Sequence, residues 1–350
     1  MKKQTNINKN DDLLLKVKNL RVYFPVYEGI LGAVDGVSFE MKRYKNLGII
    51  GESGCGKSIT ALSVMGLVPQ PPAQIMGEIF YYKDSGSGVA LHKLSPKGPE
   101  YRAIRGRNIA MIFQEPMTCL NPVFSIGDQV MEAIMLHQTV DKRSARKRTI
   151  EMLDRVYLRN PESIVDAYPH QLSGGMRQRV MIAMALSCSP DLLIADEPTT
   201  ALDVTIQVQI LDLIKELQKE FHTTVIIISH NIGLVANMAD EVLVMYLGKV
   251  VEYGMVRDVL KKSFHPYTRG LLRSLPQIGL RAKQPIISIP GLVSKPLNLP
   301  KRCRFAARCP ERMNKCEAEP PLFYLGRKHY VRCWLYKKNG ERSNVERVAK

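Results

Sequence analysis

Gly51-Glu-Ser-Gly-Cys-Gly-Lys57-Ser58 limits what this chain can fold into more than any other stretch, because it fills every fixed position of the pattern G-x-x-x-x-G-K-[ST]. Residues 46–50 before it, Asn-Leu-Gly-Ile-Ile, read as a buried strand, and residues 59–67 after it, rich in Ala, Leu and Val, read as a helix. Glycines let the backbone wrap closely around phosphates, and the helix N-terminus adds unpaired N–H groups and the positive end of its dipole. Lys57 can reach β- and γ-phosphates, and the Ser58 hydroxyl can ligate Mg²⁺. The predicted nucleotide contacts are Gly51, Glu52, Ser53, Gly54, Cys55, Gly56, Lys57, Ser58 and Ile59. A chance Gly-rich turn would lack the flanking strand and helix.

A formal charge of +17 invites a nucleic-acid reading, but the charge is unevenly placed. Residues 301–350 hold 14 Lys/Arg against 5 Asp/Glu, so +9 of the +17 lies in the last fifty residues and the rest of the chain is mildly basic. An anionic lipid, an acidic partner surface or a bound anionic cofactor would each suit such a tail, as would a plain solvated face. No run of about 18 apolar residues occurs, so no segment is expected to span a bilayer. Residues 1–12, polar and rich in Asn and Lys, lack the apolar core of a secretory signal and read as a disordered lead-in.

The chemistry is carried further along. Residues 191–197, Asp-Leu-Leu-Ile-Ala-Asp-Glu, read as an apolar strand ending in two carboxylates. Asp196 is placed to hold Mg²⁺, and Glu197 to polarise an attacking water. Residues 225–229 form another apolar strand that delivers His230 at its C-terminal end, where open α/β sheets collect ligand groups. Between the phosphate loop and these strands, Leu172-Ser173-Gly174-Gly175 opens a helix and makes a second anion-binding N-terminus. One nucleotide needs one phosphate loop, so the second anion site calls for a separate account.

Taken together these residues resemble the ATP-binding cassette (ABC) ATPases. The phosphate loop, Gln114 after a strand at 108–113, Leu172-Ser-Gly-Gly175, Asp196-Glu197, Ala201-Leu-Asp203 and His230 follow that family's order. The resemblance implies two cassettes facing head to tail, each signature closing on ATP held by the other subunit, so that Ser173, Gly174 and Gly175 act in trans. It also implies that Glu197 is the general base, that Gln114 senses Mg²⁺ and the attacking water, that Asp203 lies near the nucleotide, and that His230 stabilises the transferring phosphoryl group. Phe24, nine residues before Ala33, is the candidate for stacking on adenine, with Tyr23 the fallback. Met176 stands where the family usually has Gln, and the Ser and both Gly remain. Residues 115–123, 126–129, 168–175 and 265–276 narrow the resemblance to the dipeptide/oligopeptide importer subfamily, laid over residues 13–336.

Seven cysteines occur, at 55, 119, 188, 303, 309, 316 and 333. Cys55, inside the phosphate loop, reads as a small residue filling a tight turn. Cys303, Cys309, Cys316 and Cys333 form a four-thiol set punctuated by Pro310, Pro320 and Pro321. Structural zinc usually takes paired C-x₂₋₄-C knuckles, which are missing here. Four thiolates at wide spacing fit a [4Fe–4S] cluster better, and its anionic charge suits Lys301, Arg302, Arg304, Arg308 and Arg332. The subfamily's Cys-x-Phe-x-x-Arg-Cys-Pro pattern, matched at 303–310, implies the same cluster; zinc and free structural thiols stay open as alternatives.

The expected fold is α/β: a P-loop NTPase cassette with a RecA-like core, an antiparallel β subdomain and a helical subdomain at about 115–185, in residues 13–258. A C-terminal extension bearing the four cysteines follows at 259–336 and a basic tail at 337–350. Residues 81–89 read as a hairpin or loop, and residues 143–156 as an amphipathic, solvated helix. The expected activity is ATP hydrolysis driving import of dipeptides, oligopeptides or a related small solute. The expected partners are two transmembrane permeases, a second ABC ATPase subunit and, indirectly, a solute-binding protein; the expected place is the cytoplasmic face of the membrane. The rival is a soluble nucleic-acid-linked cassette ATPase, but long insertions, coiled coils and a second cassette are all missing from the sequence.

Overall fold

The computed structural model describes residues 12–83, 87–114, 119–200, 202–274 and 289–337. Its contacts divide into two units, residues 1–93 with 229–350, and residues 94–228.

The first unit opens with β1 (Leu13–Val26) and β2 (Gly29–Lys42), two long strands paired antiparallel. Leu15, Val17, Leu20 and Val22 of β1 and Val34, Val37, Phe39 and Met41 of β2 are buried, and the polar residues between them face out. The alternation slips between Val17 and Leu20, where Asn19 takes φ 47° and one of the pair's register shifts falls. β3 (Leu47–Ile50) is buried at all four positions and leads into α1 (Lys57–Val64). β4 (Gln74–Lys83) pairs with β1 and is followed by β5 (Ser87–Ala90), giving an antiparallel sheet of order β2-β1-β4-β5. The hairpin expected at 81–89 is thus β4–β5.

The second unit carries three parallel strands, β6 (Ile109–Ile112), β7 (Leu192–Asp196) and β8 (Thr224–Ser229). All three are buried along their length, as strands covered on both faces must be. Its helices include α2 (Pro99–Ile104), α3 (Ile126–His137), α4 (Lys142–Arg155), α5 (Pro161–Ile164), α6 (Gly174–Leu186) and α7 (Val204–Phe221). Ser125 and Asp141 cap α3 and α4, each accepting a backbone N–H three residues on. The polar helix α4 buries Ala145, Thr149, Met152 and Leu153, which share one face at helical spacing.

The chain then completes the first unit with α8 (Ile232–Met238), β9 (Glu241–Tyr246), β10 (Lys249–Met255), α9 (Val256–Lys261) and α10 (Pro266–Arg273). β9 runs parallel to β3 and turns through Leu247 and Gly248, both at positive φ, into antiparallel β10. Two further strands come from the cysteine-bearing segment: β11 (Phe323–Tyr324) and β12 (Tyr330–Val331), with β12 laid antiparallel on the edge of β10. Among the described residues no helix is long and apolar enough to cross a membrane.

Candidate functional site

In the first unit the loop between β3 and α1 wraps as tightly as its glycines allow. Gly51, at φ 153°, has room for no Cβ, which would lie 2.3 Å from the Met245 carbonyl oxygen. Gly56, at φ 99°, caps α1, and a Cβ there would meet the Ala33 carbonyl oxygen at 2.2 Å. Lys57 folds back over this loop: its Nζ donates to the carbonyl oxygens of Gly51 at 2.8 Å and Glu52 at 3.1 Å. Its ammonium is therefore stationed over a curl of backbone amides at a helix N-terminus, the arrangement that holds phosphates. Ser53 and Gly54 are exposed, Ser58 and Ile59 half-buried, and Cys55 buried. Burial pushes the Cys55 thiol up against the pull of nearby Lys57, so it fills the turn as a small apolar group.

Glu52 is held by the protein itself. Its backbone N–H donates to the Tyr267 hydroxyl at 2.8 Å, and its carboxylate takes both Nη1 and Nη2 of Arg308, at 2.7 and 2.9 Å. Neither partner was foreseen as such, since Arg308 reads in the sequence as a cation beside the cysteines. Of the two aromatic candidates for adenine, Tyr23 is engaged, donating its hydroxyl to Asp35 Oδ1 at 2.9 Å, while Phe24 is half-buried. Asp35 also pairs with Lys249 at 3.1 Å and with Arg304 of the cysteine-bearing segment. Burial pushes the Asp35 carboxyl up, but Lys249 and Arg304 outweigh it and hold it below the usual range. His230 follows β8 directly and is exposed.

The second unit brings two of the predicted catalytic groups together. Asp196 ends β7 and is buried. Glu197, next in the chain, takes φ 46°, a left-handed conformation that turns the backbone sharply off the strand, with its N–H on the Ile228 carbonyl at 2.9 Å. Its Oε2 accepts from the Gln114 amide at 3.2 Å and from the Thr200 hydroxyl at 3.0 Å. Gln114 stands two residues past the end of β6, the strand that pairs with β7. Thr200 lies three residues after Glu197 in a Pro-Thr-Thr turn, and sequence reasoning passed it over. Ser173 caps α6, its hydroxyl accepting the Met176 N–H at 3.3 Å. Ser173 and Gly174 are exposed and Gly175 is half-buried, so the first amides of α6 face outward. Asp203, at the cap of α7, is exposed.

The four C-terminal cysteines are free thiols; Cys316 and Cys333 are buried, and Cys303 and Cys309 half-buried. They converge enough to feel one another's charge. Burial, chiefly, pushes the Cys303 thiol up to about 11 and the Cys333 thiol up to about 12, and raises Cys309 as well. Backbone N–H groups point at the sulfurs: those of Phe305 and Ala306 at Cys303, of Glu311 at Cys309, of Leu335 at Cys333, and of Met313 at Cys316. Among the described residues, however, no group of three or more His, Cys, Asp or Glu side chains is placed to hold a metal ion.

Comparison with known proteins accounts for this layout. Residues 34–200 match the family described as ABC transporter, and residues 251–316 match the oligopeptide/dipeptide transporter C-terminal region. The chain belongs to the ABC transporter ATPases, in the branch that carries this C-terminal region. Within that branch it is 47% identical over 328 residues to the oligopeptide transport ATP-binding protein AppD of Bacillus subtilis (strain 168), covering 93% of this chain and 98% of that one. It is 46% identical over 338 residues to the dipeptide transport ATP-binding protein DppD of the same organism, covering 96% and 99%. The oligopeptide transport ATP-binding protein OppD of Escherichia coli (strain K12) is 45% identical over 311 residues, covering 89% and 90%. Among solved structures, the dimeric post-hydrolysis state of the ATP-binding cassette MJ0796 bound to ADP and Pi superposes with TM-score 0.60 at 28% identity, covering 70% of this chain and 99% of that one. None of these relatives supports the nucleic-acid alternative.

Proposed function

We propose that this chain is the ATP-hydrolysing subunit of an importer for dipeptides, oligopeptides or a related small solute. The cargo class rests on the names of relatives matched along at least 90% of their length. The observation that carries hydrolysis, beyond ATP binding, is the setting of Glu197: a carboxylate fixed at a strand end by Gln114 and Thr200. A water held by Gln114 attacks the γ-phosphorus, its proton passes to Glu197, and ADP leaves with the bond electrons. His230 and Lys57 meet the charge that develops on the phosphoryl oxygens. Ser58, Gln114 and Asp196, all hard oxygen donors, are the proposed Mg²⁺ ligands; the ion would neutralise phosphate charge there. Phe24 stacks on adenine, and Asp203 lies near the nucleotide.

The amides of Ser173, Gly174 and Gly175 serve the ATP of a second cassette, so the working unit is a pair of ATPase subunits, a paralogue being the expected partner. The pair sits on the cytoplasmic face of the membrane beneath two permeases, with a solute-binding protein outside. Residues 13–258 form the cassette and 259–336 the extension. Purification from native membranes in mild detergent, with mass-spectrometric identification of stoichiometric partners, tests this. Two multi-span permeases with a second ATPase are expected, and a soluble complex with nucleic acid and no membrane protein would overturn it.

Cys303, Cys309, Cys316 and Cys333 are the proposed ligands of a [4Fe–4S] cluster. Four sulfurs around one zinc would sit roughly 3.8 Å apart at 2.3 Å bonds, and these are not set for a single ion. An all-thiol set with backbone N–H groups directed at the sulfurs suits a wider, anionic cluster. When bound, the cluster would tie this loop together. Anaerobic preparations should hold iron and sulfide near four per chain; stoichiometric zinc would end the idea.

A further inference from the structure

Two motifs of the C-terminal extension have no part in the reaction as described: His265-Pro-Tyr-Thr268 and Cys303-Arg-Phe-Ala-Ala-Arg-Cys-Pro310. Both converge on one residue of the phosphate loop. Tyr267 is fully buried in the first turn of α10 and accepts the Glu52 N–H. Arg308 closes a two-pronged fork on the Glu52 carboxylate. The guanidinium is itself fixed: Nε donates to the Pro290 carbonyl at 3.0 Å, and the group lies over the Tyr246 ring, 5.8 Å from its centre. Phe305 packs edge-on against Tyr246 at 5.2 Å and tilted against Tyr267 at 5.4 Å, binding the two anchors into one aromatic cluster. Behind Tyr267, the start of α10 is pinned by the buried Glu252, which accepts the N–H groups of Phe264 and His265 at 2.8 and 3.0 Å.

The third polar group of Glu52 completes the path, because its carbonyl oxygen accepts from Lys57 Nζ. One residue thus has its N–H on the extension's tyrosine, its carboxylate on the extension's arginine, and its carbonyl on the lysine that faces the phosphates. We propose that Glu52 is the point through which the C-terminal extension sets the phosphate loop, with Arg308 and Tyr267 as positioning residues for ATP. The proposal rests on residues 51–58 being the phosphate site. A loop held in its bound shape loses less freedom when ATP arrives, so the extension raises ATP affinity without touching the nucleotide. Glu197 and Gln114 belong to the other unit, so the rate at saturating ATP is expected to change little.

The test is a double-mutant cycle on the full-length chain, reading mant-ATP affinity, steady-state hydrolysis and thermal midpoint on the same preparations. R308Q and E52Q are each expected to weaken mant-ATP binding about tenfold, and R308Q to keep kcat within about threefold of wild type. The double variant should be no worse than either single one, a coupling of about 1.4 kcal/mol for the missing tenfold. R308K keeps the charge but not the fork and should fall between. A pair that merely fastens the extension would lower the thermal midpoint while both single variants bind mant-ATP within twofold of wild type, and that result overturns the proposal. Should R308Q fail to fold, E52Q, which leaves the extension unaltered, decides by the same criterion. A wild-type chain that binds no mant-ATP would remove the phosphate-site reading and this proposal with it, whereas unchanged affinity in the variants removes the proposal alone.

Discussion

Glu52 and Glu197 are both glutamates placed just beyond the C-terminal end of a buried strand, yet the surroundings give them opposite work. Glu52 meets a buried guanidinium along both carboxylate oxygens, with 7% of the Arg308 side chain and 25% of its own exposed to solvent. A carboxylate forked by arginine has its lone pairs committed and is a fixture. Glu197 is oriented by an amide and a hydroxyl, both on Oε2, and its backbone is bent into a left-handed conformation to reach them. Neutral donors aim a carboxylate without neutralising it. The partner, more than the residue type or its place after a strand, separates a structural acid from the proposed general base.

The sharpest way to break this contrast is to make the same change at both sites. E197Q should lower the hydrolysis rate roughly 100- to 10,000-fold while ATP binding persists, read by phosphate release and nucleotide titration. If E52Q lost turnover to the same degree at saturating ATP, the contrast would collapse. The loop that carries Glu52 is also fixed through its backbone. Gly56→Ala forces a Cβ against the Ala33 carbonyl at positive φ, and should cost roughly 2–5 kcal/mol in urea unfolding and abolish nucleotide binding.

A pH series probes the Glu52 side through His265. His265 caps α10 through Nδ1, which accepts the Tyr267 N–H at 3.1 Å, so the ring must be neutral to do so. Complete burial pushes it down from 6.5 to about 4. The unfolded chain therefore takes up a proton that the folded chain refuses. This contribution to stability is whole above pH 6.5 and is lost as the pH falls toward 4, about 3 kcal/mol in all. Urea midpoints at pH 7.5, 6 and 5 should follow that slope, and His265→Asn, which keeps a capping oxygen, should flatten it. The smallest effect belongs to Asp166, which meets Arg146 in the same two-pronged geometry, at 2.8 and 2.7 Å, but in full solvent. D166N should leave the thermal midpoint unmoved, showing that the fork matters at Glu52 because it is buried.

How legible these features were depended on how local they are. Residues 51–58 specify their own turn, since two glycines, a lysine and a helix start lie within eight contiguous positions, and strand β7 is marked by an unbroken apolar run. The meeting of Glu52 with Arg308 spans 256 residues and exists only once α10 and the cysteine-bearing segment have folded. Nothing in either neighbourhood points to the other, so Arg308 was assigned to the nearest anion the sequence offered. β11 and β12 are two residues each, too short for alternation to mark them. The cysteine spacing was readable as a set, whereas the distance between the sulfurs is a property of the folded loop. Thr200 was hidden for another reason: a hydroxyl three residues past a carboxylate is common, and only the left-handed turn at Glu197 makes it a partner.

The strand β12 has a consequence for how this protein is made. It covers Glu252 and Tyr253 of β10, and 77 residues of chain separate Tyr253 from its partner Tyr330. At ribosomal speeds of roughly 5–20 residues per second, the outer side of β10 waits about 4–15 s before its cover has been synthesised. During that interval a row of backbone donors and acceptors stands open to any other extended chain, including a second nascent copy. A version of this protein ended near residue 300 would never leave that interval, and its fate would be set by self-association before any question of ATP arose.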